Sequence, residues 1–266
     1  MTDLLVLRTA LRDALRPRRV VTALLLIALP ALIGLLCRVL TPAADWRPEE
    51  RYDELVVLLV FGFTLTILSV VGGTGVVSEE LEQRTVVYVL TRPLPRWRLL
   101  LARFVVSFAV VAAITLLSLL LLALAVFGPT HVGSVALGPD VRALLIGAWT
   151  YCAVFLLLGA LLPRPLIYGL LYVFGWEGIV TILPGSFARL SLMSYLRVIA
   201  AREIGDTPAA TGDAGNNFLT NIGRAPDMAI STHQAYLILG IVSLVALCAA
   251  VAVFSTREYV PREDAE

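Results

Sequence analysis

The chain has 266 residues, of which 59% are hydrophobic and 15% charged, with a formal charge of +1 and a mean hydropathy of +0.87. Soluble domains run nearer about 45–50% apolar and about 25% charged, so too few polar side chains exist here to cover a water-soluble globule. All 21 basic residues are arginine, which excludes a phosphate-binding P-loop lysine, a Schiff-base lysine and a lysine general base. The near-neutral balance excludes a global nucleic-acid footprint. His131, His233, Cys37, Cys152 and Cys248 are scattered without CxxC or HExxH spacing, so no metal site is expected.

In chain order, residues 1–19 open with a basic amphipathic segment. Leu4, Leu7, Leu11 and Leu15 form one stripe, and Arg8, Arg12 and Arg16 recur every four residues on another. The pattern predicts an elbow helix in the headgroup layer, ended at Pro17. Six apolar segments follow: Val20–Leu40, Leu55–Val77, Phe104–Phe127, Ala143–Leu162, Pro165–Leu183 and Gln234–Phe254. Each approaches the ~20 residues that a helix rising ~1.5 Å per residue needs to cross ~30 Å of hydrocarbon. The first reads as a retained span rather than a signal peptide, because no small-x-small cleavage site follows it. The fold class is therefore all-α: a single polytopic transmembrane domain over 1–266, with six spans.

An even span count puts both termini on one side. With that side inward, thirteen of the 21 arginines fall in cytoplasmic segments: Arg8, Arg12, Arg16, Arg18, Arg19, Arg84, Arg92, Arg96, Arg98, Arg103, Arg164, Arg257 and Arg262. The segment between the first two spans is acidic instead (Asp45, Glu49, Glu50, Asp53, Glu54). The positive-inside rule predicts a multi-pass cell-membrane protein with cytoplasmic N- and C-termini.

The segment at 78–100, between the second and third spans, is too long and too patterned for a plain connector. Ser78 is the expected N-cap of a new helix, with Glu79, Glu80 and Glu82 in its first turn, where a helix's partial positive charge favours anions. Pro93 and Pro95 end it, and Trp97 sits at interface depth before the third span. The run Glu79-Glu80-x-Glu82-x-x-Thr85, then Leu90-x-x-Pro93-x-x-Arg96, then Ala102-Arg103, resembles the signature of type-2 ABC transporter permeases. Arg84 stands where that family commonly has a glycine before the threonine, and Arg103 where lysine is common.

The resemblance implies a dimer of permeases (homo- or heteromeric) embedded in the lipid bilayer, each protomer receiving one soluble ABC ATPase subunit. Glu79, Glu80, Glu82, Arg84, Thr85, Pro93 and Arg96 would form the coupling segment that this subunit grips. It implies no catalytic site and no cofactor in this chain, ATP and magnesium belonging to the partner. Gly72-Gly73-Thr74-Gly75 agrees, since it lacks the Gly-Lys-Ser/Thr ending of a P-loop and reads as a joint or a close-packing site. Most of that family exports. A second class, a membrane anchor or regulatory subunit whose ATPase does mechanical or signalling work without translocation, fits the same layout.

The region at 184–232 is expected outside the spans. Over Ser186–Ile204, Phe187, Leu190, Met193, Leu196 and Ile199 share a helical face with Arg189, Arg197 and Arg202 opposite; Gly205–Asp227 reads as loop. In the resembling family such helices cap the pathway; a helix lying at the lipid interface is the other reading. Glu177 is the one carboxylate inside an expected span. It is either a path residue handling a cation or proton, or a structural carboxylate tying the fifth span to the outer helices or to an outer-loop arginine; the second is favoured. Tyr168, Tyr172 and Trp176 recur every four residues on the fifth span, and Thr64 and Ser69 dot the second. The resemblance implies that these two spans line the translocation path, whereas spacing alone reads as packing.

Overall fold

A computed structural model describes residues 17–42, 46–82, 96–129, 137–180, 189–200 and 230–256. All regular structure among them is helical: α1 (Pro17–Leu40), α2 (Pro48–Leu55), a π-helical segment (Val56–Leu65), α3 (Thr66–Glu82), α4 (Arg96–Phe127), α5 (Gly138–Leu161), α6 (Pro165–Leu171), a second π-helical segment (Tyr172–Glu177), α7 (Gly178–Val180), α8 (Leu192–Ile199) and α9 (Thr232–Thr256). Five helices are long and apolar enough to cross a membrane: Val21–Leu40, Pro48–Val76, Leu100–Phe127, Gly138–Leu161 and Thr232–Thr256. The fifth expected crossing, 165–183, is described only to Val180. Its pieces of 7, 6 and 3 residues rise about 24 Å together, short of the ~30 Å hydrocarbon.

Proline punctuates the helix starts. Pro48, Pro139 and Pro165 occupy the first turns of α2, α5 and α6, where a missing N–H is harmless and a fixed φ is already helical. Glu49, Glu50 and Asp140 add acidic first turns that suit the helix dipole. These starts carry the second and fourth spans several residues beyond their charge-free blocks. Likewise α4 begins at Arg96, eight residues before the expected Phe104, and Arg98 lies 5.2 Å over the Trp97 ring at its foot. At its other end Gly128, at φ +79°, takes the left-handed conformation, and its N–H bonds the Leu124 carbonyl at 2.9 Å.

One expectation changes. Ser78 does not open a new helix: α3 runs unbroken through it to Glu82, so Glu79, Glu80 and Glu82 prolong the second crossing instead of starting a separate rod. A cap needs non-helical backbone at the capping residue, and nothing in Val76-Val77-Ser78 interrupts the helix. Residues 1–16 and 83–95, which hold the elbow stripe, Arg84, Thr85 and Pro93, lie outside the described residues.

The central post is α5. It is lined with small residues (Ala143, Gly147, Ala148, Ala153, Gly159, Ala160), all buried, and packs against α3, α4, α6, α8 and α9. Lipid gives helices no hydrophobic reason to associate, so close approach between small residues supplies the attraction. Gly73 shows how close. A Cβ there would stand 2.7 Å from Phe155 Cβ and 3.0 Å from the Cys152 carbonyl, so the glycine pair within the second span is a packing site. Gly73→Ala is expected to destabilise the bundle by about 1–3 kcal/mol, because backbone on α5 must move. Gly240→Ala, where a Cβ meets nothing within 4 Å, is the control. Thermal unfolding in detergent reads both; equal melting temperatures would refute the packing role.

Candidate functional site

The inward stripe of the α6–α7 run is Gly169, Val173 and Glu177, one residue along from the aromatic stripe read in the sequence. Successive steps of four advance about 40° round an α-helix, and the wider turn at Tyr172–Glu177 changes the register again, so the aromatics divide. Tyr172 turns in, its ring 5.9 Å from Phe155 in an edge contact, while Tyr168 and Trp176 are both 45% exposed. Thr64 and Ser69 are fully buried within this chain. Ser69 lies against Cys152 on α5. Thr64 Oγ1 donates, at a long 3.5 Å, to the Leu26 carbonyl of α1. Pro30, four residues on, has no N–H for that carbonyl, so Thr64 supplies a donor to a proline-interrupted helix.

Glu177 is 6% exposed and joins three elements. Its Oε2 accepts the Tyr151 hydroxyl of α5 at 2.5 Å. Its Oε1 accepts the backbone N–H groups of Leu192 and Met193, the first two residues of α8, at 3.1 and 3.3 Å. Every helix start leaves N–H groups without intrahelical partners. Ser191, the N-cap residue of α8, makes no side-chain cap bond, and its Oγ is buried without a partner. Glu177, far away in sequence, takes over the capping, and its charge suits the positive end of the helix.

The cap lies deep. Tyr151 stands about 20 Å along α5 from its Gly138 end, counting the helical rise, and thus past the helix midpoint. Farther toward that end, Gly147 of α5 gives way to α8: a Cβ there would meet Leu196 Cδ1 at 2.8 Å and Leu65 Cδ2 at 2.9 Å. α8 is therefore a short helix inserted among the spans, starting at mid-depth and running back toward the end from which α9 begins. Of its residues only Val198 is not buried.

In the sequence Arg197 falls opposite the apolar face of 186–204, and an outer-loop arginine is one expected partner of Glu177. Arg197 is 4% exposed, while Leu190, expected on the apolar face, is 56% exposed. A guanidinium remains charged in proteins, so Arg197 places a positive group within electrostatic reach of the Glu177 cap.

A second buried pair was not visible in the sequence. Tyr52 donates to Asp140 Oδ2 at 3.1 Å, tying the second turn of α2 to the first turn of α5, and the Tyr52 ring meets Phe127 edge-on at 5.1 Å. The Gly138-Pro139-Asp140 run was the available signal, since proline and aspartate there mark a helix start inside the bundle. Among the described residues no His, Cys, Asp or Glu cluster could hold a metal ion.

The Glu177 arrangement is built to anchor a helix, and substitution reads that. Glu177→Leu strips three acceptor contacts and is expected to cost about 3–5 kcal/mol. Glu177→Gln keeps a carbonyl for the two N–H groups and should cost about 1–2 kcal/mol. Hydrogen exchange at the Leu192 and Met193 amides distinguishes them, fast in the first and still protected in the second. Protection surviving in both would show that something else caps α8.

No curated protein matches the chain. Residues 15–176, more than half of it and spanning α1 to the edge of Glu177, match the family described as ABC-2 family transporter protein. The chain therefore belongs to the ABC-2 transporter family and, with its five apolar helices, is a multi-pass membrane transport subunit.

Proposed function

We propose that this chain is the membrane-spanning permease of an ATP-driven exporter, acting as a dimer with a separate ABC ATPase bound to each protomer. The observation that carries the reading is family membership joined to the absence of lysine anywhere in the sequence, so that the usual phosphate cradle must come from another chain. ATP and magnesium belong to that partner. In this reading 78–100 is the coupling segment, gripped through Glu79, Glu80, Glu82, Arg84, Thr85, Pro93 and Arg96, and the run at 165–183 completes a six-span layout with both termini cytoplasmic.

Support for a mechanical handle comes from the continuity of α3. Displacement at Glu82 passes along an unbroken helical run through Thr66 and Val56 toward Pro48. That run is stitched to α5 at Gly73 and at the Tyr52–Asp140 pair. Support for a dimer comes from the apolar faces of α1 and of the α6–α7 run, where Leu24, Leu32, Leu171 and Phe174 are all more than half exposed. A lining of aliphatic and aromatic residues favours an amphiphilic or apolar cargo.

The test is affinity isolation in mild detergent. The expected result is co-purification of a soluble Walker-motif ATPase in equal stoichiometry, lost when Glu79, Glu80 and Glu82 are changed together to arginine while the spans still insert. ATPase binding that survives the triple change would sink the docking assignment. Cargo-stimulated ATP hydrolysis in reconstituted vesicles then separates export from anchoring, since an anchor would hydrolyse at a cargo-independent rate.

A further inference from the structure

At 3.6 residues per turn, Leu192, Met193, Tyr195, Leu196 and Ile199 of α8 fall on one side of the helix, and Ser194 and Arg197 on the other. A helix of this pattern ordinarily leaves its polar side in water. Here the N-cap Ser191 is fully buried, Ser194 is 2% exposed and Arg197 4%. Ser191 Oγ, Ser194 Oγ and Arg197 Nε are all without a hydrogen-bond partner. Glu177 does not supply one: its oxygens take the Tyr151 hydroxyl and the Leu192 and Met193 N–H groups, and among the described residues no ion pair joins it to Arg197. Serines in mid-helix escape locally, as Ser243 and Ser255 do by donating to the carbonyls of Gly240 and Ala252. Ser194 lacks that escape, because the residue three before it is the extended N-cap.

α8 is thus pulled two ways. Three hydrogen bonds at Glu177 hold it in place, and three buried polar groups without partners favour its leaving, each side being of comparable size. A small difference between opposed terms is the condition for two populated positions. The polar side also points the way out. Val198, the one residue of α8 that is not buried, lies about 40° round the helix from Ser194, so the cover is thinnest there. The apolar side would give up packing but no hydrophobic burial by exchanging the bundle for lipid.

We propose that α8 is a two-position helix, inserted in the bundle as described here and able to move out to the bilayer surface at the end from which α9 begins. In the second position Leu192, Leu196 and Ile199 rest on lipid, while Ser191, Ser194 and Arg197 reach water, the arrangement of an interfacial amphipathic helix. A guanidinium is solvated at that depth and no longer depends on the field of Glu177. Glu177 is the catch: it binds the α8 N–H groups only in the inserted position, so weakening it shifts the balance outward. The device belongs to α8 and Glu177 and does not depend on the exporter reading.

The test uses the full chain in phosphatidylcholine nanodiscs, which leave both bilayer faces open, and a charged thiol reagent that does not enter hydrocarbon. Cys37 and Cys248 are changed to alanine, the buried Cys152 of α5 stays as an internal reference, and Ser194→Cys reports on α8. Labelling is expected at position 194 and not at Cys152. Glu177→Gln should raise the rate at 194 about tenfold, and Ser191→Ala, which removes one hydroxyl that favours leaving, should lower it about fivefold. If Ser194→Cys elutes as aggregate, hydrogen exchange on the unaltered chain takes its place, with the amides of 192–199 expected to exchange together and ahead of those of α5. No labelling at 194 even with Glu177→Gln, or exchange of 192–199 no faster than α5, would show that α8 stays inserted and overturn the proposal. Labelling of 194 and Cys152 in step would mean opening of the whole bundle and overturn it equally. A rate that does not fall with Ser191→Ala would overturn the part given to the polar side.

Discussion

A helix that begins inside a membrane bundle has to find acceptors for its first N–H groups where no water is at hand, and Glu177 meets that demand for α8. The magnitudes show why a carboxylate is used. Taking it out of water costs several kcal/mol, and hydrogen bonds to a charged group return about 1.5–3 kcal/mol each. Three such bonds, with Arg197 in electrostatic reach, bring the sum near balance. The network thus fixes where α8 sits more than it adds stability. A neutral acceptor would cap with less desolvation but would lose the attraction to the helix dipole and to the arginine.

Position matters because everything around α8 is packed to its shape. Leu196 fits only where α5 has glycine, and the same glycine admits Leu65 from the π-helical part of the second crossing. Tyr151, which holds Glu177, stacks on Phe155, and Phe155 in turn meets Tyr172 and crowds Gly73. Cores of this density respond to displacement as units, since few voids exist to absorb it. Two polar pins, Glu177 on α8 and Asp140 on Tyr52, set the registers along α5, and small residues between them let the neighbouring backbones close in.

The crossings were legible because a block of some twenty residues without charge has few other physical solutions. Their ends were less so: α4 extends to Arg96 because a helix continues through arginines that stay outside the hydrocarbon, which a hydropathy boundary leaves out. Ser78 misled for a related reason. Serine followed by glutamates marks a cap only where the chain before it is not already helical. Glu177 was legible as a carboxylate tied to the following segment, but its partners were not. Two of them are backbone N–H groups, which every sequence contains. That Arg197 is the arginine near Glu177 was not legible, because a period of 3.6 does not say which of Arg189, Arg197 and Arg202 approaches a carboxylate some twenty residues earlier. The Tyr52–Asp140 pair joins residues 88 apart, a relation that periodicity does not carry.

The two unusual polar groups of the fourth crossing are neighbours in the chain. Thr150 is buried at a recess between α4, α5 and α9, its hydroxyl inaccessible and without a partner, and Tyr151 donates to the Glu177 cap. Successive residues on a helix point about 100° apart, so one turn of α5 forms a wall of both places. α9 borders both as well, through Leu239 and Gly240 at the recess and through its packing on α8. A group that widens the recess therefore has little freedom to move α5 or α9 without loading the inserted helix. The carboxylate that holds α8 in place is also what would resist that load.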